Sequence, residues 1–410
     1  MLFIPERHEA LSGAAWSDDA ARAGIERIVA ATRAAFDPGS LWPSHPRDRV
    51  EEAGALPMAS LYMGAAGVIW ALQQLQRDGM ADVRIDFAPT IAGLLDHSRR
   101  FNAAAGIASP SYFLGDAGVL LLQWKRLRDP ATADALFALA EANLHNPTLE
   151  ALWGSPGTLV AVLHMIDDLV EPSPQQPWIN LLQHGAQILF DQMHAVRHST
   201  QPNAEAWLWT QDLYGKQLDY LGAGHGFAGN VFPILRGARW LDPTLVARFE
   251  ERSLQTLSIA ALREGEGANW QPVFDPAVLG WPGKALMQDC HGAPGIVCRL
   301  ASTRSDALRE WLVRGVEAVW SAGPLVKPPG LCHGTDGNGY ALLKLHSMTG
   351  ETLWLERARA FAMHALQQSD REAEQHGERR FSLWTGDLGL ALYLSSCLRA
   401  DAAFPTLDAF

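Results

Sequence analysis

Cysteine is scarce in this chain, with four residues in 410. So few exclude a disulfide scaffold. Two of the four stand directly before a histidine, which points to a reducing compartment, the cytoplasm. Long basic runs are missing too. With a formal net charge of −12, neither nucleic acid nor an anionic membrane surface is a natural partner. No apolar stretch approaches the length of a membrane span. The opening LFIPERHEALSG carries Glu6 and Glu9 and no apolar run, so no secretory signal is expected. What remains is the profile of an acidic, soluble enzyme with a large core.

Glycine, by contrast, is patterned. The pair Gly64 and Gly67 encloses two residues and precedes the apolar run Val68 to Leu75. The same spacing returns at Gly115/Gly118, Gly154/Gly157, Gly226/Gly229, Gly292/Gly295, Gly334/Gly337 and Gly386/Gly389, which makes seven Gly-x-x-Gly turns. Each leads into residues that are apolar nearly all round, the mark of a helix buried on both sides. Between them lie stretches such as Ala131 to Leu144, Thr244 to Leu257, Ser305 to Trp320 and Glu351 to Gln368, where apolar and charged residues alternate at helical spacing. These predict helices with one wet face. The arrangement expected is all-α, an α/α toroid with seven inner and about seven outer helices.

The spacing between turns varies from 39 residues (Gly115 to Gly154) to 72 (Gly154 to Gly226), too irregular for a stacked solenoid but tolerable in a closed ring. One domain is expected over residues 1–410. Residues 1–50 would be an N-terminal arm and outer helix, including the amphipathic stretch Asp18 to Phe36, and 51–410 would carry the repeats. The proline-rich Glu171 to Pro177, the stretch Arg263 to Gln288 and the charged Asp370 to Arg380 are expected to be irregular, the second near the mouth of the site.

The chemistry concentrates in repeats five and six. Cys290-His291-Gly292 and Cys332-His333-Gly334 place a soft ligand pair at the same position of adjacent repeats, where helix N-termini favour thiolates. Two cysteines and one histidine leave a zinc ion one open position, the count of a catalytic site; a closed Cys2His2 site using His291 is the competing geometry. Cys298 and Cys397 lie in apolar helical stretches and read as core. His225 occupies the corresponding turn of repeat four, as a proton donor or acceptor or as a helix-start histidine bonded to a loop. Asp116, Asp336 and Asp387 stand within the turns, where acids also complement the helix dipole.

With these motifs in hand, the chain resembles the lanthionine synthetase C-like family, and within it the stand-alone LanC-like proteins. The residues that carry the likeness are Cys290 to Gly295, Leu331 to Gly334 followed by Gly337-Asn338, Gly222 to Gly229, Gly115 to Gly118, Phe381 to Leu383 and the tail Phe404 to Phe410. His291, where lantibiotic cyclases have tyrosine, matches the LanC-like branch. The resemblance implies one zinc per chain, held by Cys290, Cys332 and His333, and addition of a thiol to dehydroalanine or dehydrobutyrine residues. It implies glutathione as the thiol and damaged peptides or proteins as acceptors. His225 would supply the proton, with Asp116 as its orienting partner. Lys327 resembles a basic position associated with glutathione binding. Asp289 stands where the family usually has tryptophan, a departure expected to alter the mouth. Two alternatives stay open: a lanthionine-forming peptide cyclase acting with separate partners, and a non-enzymatic protein that binds glutathione and zinc.

Overall fold

The computed structural model describes residues 1–107, 110–277 and 283–410. Among them the chain forms fourteen α-helices that alternate in character along the sequence. The even-numbered set is α2 (Ala65–Arg77), α4 (Asp116–Leu127), α6 (Ser155–Asp168), α8 (Phe227–Arg236), α10 (Ala293–Leu300), α12 (Thr335–Thr349) and α14 (Asp387–Arg399). Each begins on the residue after the first glycine of a Gly-x-x-Gly turn, as expected. The odd-numbered set is α1 (Asp18–Ala34), α3 (Ala88–Ala105), α5 (Pro130–Ala142), α7 (Pro172–Asp191), α9 (Pro243–Ala260), α11 (Asp306–Ala322) and α13 (Thr352–His376).

Burial separates the two sets. In α6 every residue from Ser155 to Ile166 is buried, and in α14 every residue from Asp387 to Cys397. In α1 only Ala21, Gly24, Ile25, Ile28, Val29 and Thr32 are, a stripe at helical spacing. The starts differ as well. Ser17, Asp242 and Ser305 cap α1, α9 and α11 with side-chain oxygens. All seven buried helices start from glycine with no side-chain cap, leaving their first N–H groups to other partners.

The chain packs as two compact units. The middle unit holds Met1–His8 and Ala140–Gly323, the terminal unit Glu9–Leu139 and Pro324–Phe410. In the terminal unit, the turns are stitched by backbone. Cys332 donates its N–H to the Trp384 carbonyl (3.0 Å), Trp384 to Tyr62 (3.1 Å) and Tyr62 to Phe113 (2.9 Å). Repeats six, seven, one and two are thus joined in that order, the last repeat to the first, and α14 packs between α1 and α2. In the middle unit Gly224 donates to Cys290 (3.3 Å), joining repeats four and five by the same bond.

The second glycine of a turn lets neighbours approach this closely. A Cβ on Gly295 would lie 1.8 Å from the Asp289 carbonyl oxygen and 2.7 Å from the Ala223 Cβ of the preceding repeat. Gly67, Gly118, Gly229 and Gly389 likewise each meet a carbonyl of their own turn and a side chain of the adjacent repeat. The tail closes the terminal unit: Phe404 and Leu407 are buried, and Asp408 accepts from Lys344 at 2.7 Å.

Two expected loops are helical. Glu171 to Pro177 lies at the start of α7: Pro172 and Pro174 stand in the first turn, where they lack only N–H groups that a helix leaves unbonded, and Pro177, already inside the helix, forgoes one bond. Most of Asp370 to Arg380 belongs to α13, and its charges form that helix's wet face, where Asp370 meets Arg27 at 3.2 Å and Glu372 meets Arg47 at 3.2 Å. Three hairpins also add to the all-α frame: β1 (His194–His198) with β2 (Gln201–Leu208), β3 (Gln211–Leu213) with β4 (Lys216–Leu218), and β5 (Ala261–Glu264) with β6 (Gly267–Trp270). The last overlaps the start of the stretch Arg263 to Gln288, expected to be irregular; residues 278–282 of that stretch lie outside the described residues.

Candidate functional site

In the middle unit the site is built outward from Glu150. Leu149 takes a left-handed conformation (φ 45°), and its carbonyl accepts from Asn230 at 2.7 Å and from Gln211 at 3.1 Å. This pins the next residue with its carboxylate turned inward. The Glu150 side chain is fully buried, accepts the Leu152 and Trp153 N–H groups at 2.9 and 2.5 Å, and meets His225 Nδ1 at 2.8 Å. Burial pulls the His225 pKa down; the hydrogen bond and charge of Glu150, with the charge of Cys290, outweigh it and leave the pKa above its ordinary value. Nδ1 being committed to Glu150, Nε2 is the nitrogen that can exchange a proton with a substrate.

The Cys290 turn fits against this pair because repeat four supplies space. A Cβ on Gly222 would lie 2.2 Å from the Cys290 carbonyl oxygen, and one on Gly224 would lie 3.1 Å from the Cys290 Cβ. Gln288 donates to Cys290 Sγ at 3.0 Å. His291 packs its ring against His225 (5.8 Å) and Tyr220 (5.9 Å), and burial, then the charge of His225, holds its pKa at about 3. It is a neutral wall. Asp289 does not shape a mouth: it is buried, raised by that burial to about 6 against the pull of Arg299, and clasped by that residue at 3.1 and 2.7 Å. The carboxylate that replaces tryptophan is therefore neutralised at the base of α10.

In the terminal unit, Cys332 is buried and His333 follows it half-buried. Burial, with the charges of Lys327 and Arg380, holds the His333 imidazole down at about 4, against a pull from Asp48. Arg380 grips Asp48 through both oxygens, Nε at 2.7 Å. Beyond the turn, Tyr62 stacks on Trp384 (5.6 Å, 10°) and Phe113 meets both edge-on. Asp116 is buried in the same unit and paired with Arg99 at 2.9 Å, its pKa raised by burial against that pairing. The carboxylate partner of His225 is thus Glu150, while the partner of Asp116 is an arginine. Asp336 is fully buried and its pKa is pushed well up, by burial first and then by Asp387.

Among the described residues no three His, Cys, Asp or Glu side chains gather as a metal cluster. The donor chemistry nonetheless suits a soft cation: two thiols at matched turn positions, no disulfide on any of the four cysteines, and in His333 an imidazole kept neutral. Sequence reasoning missed Glu150, whose one signal is a lone acid among Leu149, Ala151 and Leu152, and the tyrosines beside His225.

Residues 57–408 match the family described as lanthionine synthetase C-like protein. A Danio rerio protein named glutathione S-transferase LANCL1 is 29% identical over 204 residues, 47% of this chain and 46% of that protein. The LanC-like protein GCL1 of Arabidopsis thaliana is 34% identical over 139 residues, 32% of each. The chain thus matches about half the length of the first relative and a third of the second. Nisin cyclase aligns over 92% of this chain and 98% of its own, with a TM-score of 0.59 and 15% identity. That likeness shows the fold, the α/α toroid expected.

Proposed function

The chain belongs to the lanthionine synthetase C-like family, and on that premise we propose that it adds a thiol, glutathione, to dehydroalanine or dehydrobutyrine residues of peptides or proteins, forming a thioether. The observation that carries this reading is the buried Glu150–His225 pair set beside Cys290, a proton carrier next to a soft-ligand turn. Cys290, Cys332 and His333 are the residues that would hold zinc, and a bound zinc supplies the deprotonation of a thiol at neutral pH.

The rest is work for the chain's own groups. Sulfur bonds to the β-carbon, the Cα=Cβ pair shifts onto the carbonyl, and the resulting enolate takes a proton at its α-carbon. His225 Nε2 delivers that proton and regains one from solvent, so the net change is addition of one thiol. Glu150 fixes the ring and stabilises its charged form. His291 and Tyr220 pack their rings against that of His225 and hold its position. Lys327, whose charge reaches His333, is the basic group for a glutathione carboxylate. Asp116, bonded to Arg99, acts as a structural acid in this scheme.

Mass spectrometry of a dehydroalanine peptide incubated with the protein, with and without glutathione, tests the reading. The expected result is a glutathione adduct that Cys332→Ala abolishes. Loss of the free thiol of a cysteine-containing acceptor with no glutathione added would instead favour the cyclase, and no change with either peptide would favour a binding role.

A further inference from the structure

The β3–β4 hairpin turns at Tyr214-Gly215, and both residues have left-handed backbone, φ 54° and 72°. Two-residue turns of this kind favour Asn, Asp or Gly, because a Cβ crowds the backbone there. The β5–β6 hairpin of the same chain obeys that preference with Gly265 at φ 57°. A tyrosine in that place is strained. It is also 68% exposed, and the one aromatic among the large exposed apolar side chains of the described residues.

Its surroundings suggest why the strain is kept. The ring stands edge-on to His225 at 6.0 Å, and its hydroxyl accepts the Trp153 indole N–H at 3.1 Å. Trp153 in turn lies three residues beyond Glu150, which its backbone N–H bonds. Tyr220 stands on His225 at 6.1 Å, its N–H held by the buried Gln211 at 2.7 Å. With the indole N–H bonded to the Tyr214 hydroxyl, the rings of Tyr214 and Tyr220 both stand against His225, and Trp153 is tied to the first of them. A flat apolar side chain is the ligand such a surface gains most from.

We infer that Tyr214, with Trp153 and Tyr220, forms an aromatic shelf that binds an aromatic residue flanking the dehydroamino acid of the acceptor peptide, and so sets acceptor selectivity. The inference rests on the thiol-addition reading and names the acceptor class for it. Tyr214→Asn is the decisive variant, since asparagine suits a left-handed turn and removes the ring without loosening the hairpin.

The test measures fluorescence anisotropy of labelled peptides in which alanine replaces the dehydroalanine, flanked by phenylalanine or by glycine, alongside turnover of the matching dehydroalanine peptides. The phenylalanine-flanked peptide should bind about tenfold more tightly to the natural protein. That preference should fall below about twofold in Tyr214→Asn and survive in Tyr214→Phe. Equal binding of both peptides, or a preference that persists in Tyr214→Asn, overturns the shelf. Turnover without a flank preference would leave thiol addition standing and remove the shelf; a binding preference without turnover would do the reverse.

Discussion

Cys290-His291-Gly292 and Cys332-His333-Gly334 are the same three residues at the same place in adjacent repeats, yet their surroundings differ in kind. The first lies against a buried carboxylate–imidazole pair and two tyrosines, and its histidine is a neutral wall. The second lies beside Lys327, Arg380 and Asp48, with stacked Tyr62 and Trp384 at the neighbouring turns. The turn offers a backbone frame and one side-chain position; the neighbouring repeats decide what that position does. On the reading proposed here, the first turn faces proton transfer and the second faces the anionic thiol.

The comparison can be broken most sharply at the cysteines. If both serve one zinc, Cys290→Ala and Cys332→Ala should each lose bound zinc, measured by elemental analysis, and drop thiol addition to background. Retained zinc in either variant would separate the turns entirely. Next comes the proton carrier. His225→Ala should lower turnover about 10²–10⁴-fold with zinc content unchanged, and Glu150→Gln should lower it by less, both read from adduct formation rates.

Stability probes sharpen the difference between the two bases. Arg299→Ala leaves Asp289 buried without its clasp and should cost about 3–5 kcal/mol in urea unfolding. Gly295→Ala should cost about 1–3 kcal/mol, since its methyl meets a backbone carbonyl that cannot swing away. Smallest is Lys327→Ala. Losing one half-exposed charge, worth about 1 kcal/mol, should raise KM for glutathione about fivefold.

Much of the frame was legible because it follows local rules. The seven glycine pairs mark the helix starts, and the width of each apolar stripe separates helices buried all round from those with a wet face. The stitching of turn to turn explains why the second glycine recurs, but a spacing alone does not reveal that it admits the neighbouring repeat. Composition misled in two stretches: the prolines at the start of α7 and the charge run on α13 both belong to helices. The site was legible only where residues sit in motifs. His225 stands inside a turn and could be picked out. Glu150 lies four residues before Gly154 in a loop without a signature, and its role depends on a partner 75 positions away. Asp116 offered a better-looking carboxylate, yet Arg99 holds it.

The claim at the centre is that a proton carried on His225 completes the addition that the cysteine turns prepare. The most direct measurement is the rate of glutathione adduct formation on a dehydroalanine peptide by His225→Ala, with its zinc content checked against the natural protein. The account predicts equal zinc and a rate lower by about 10²–10⁴-fold. Equal zinc with an undiminished rate would contradict it.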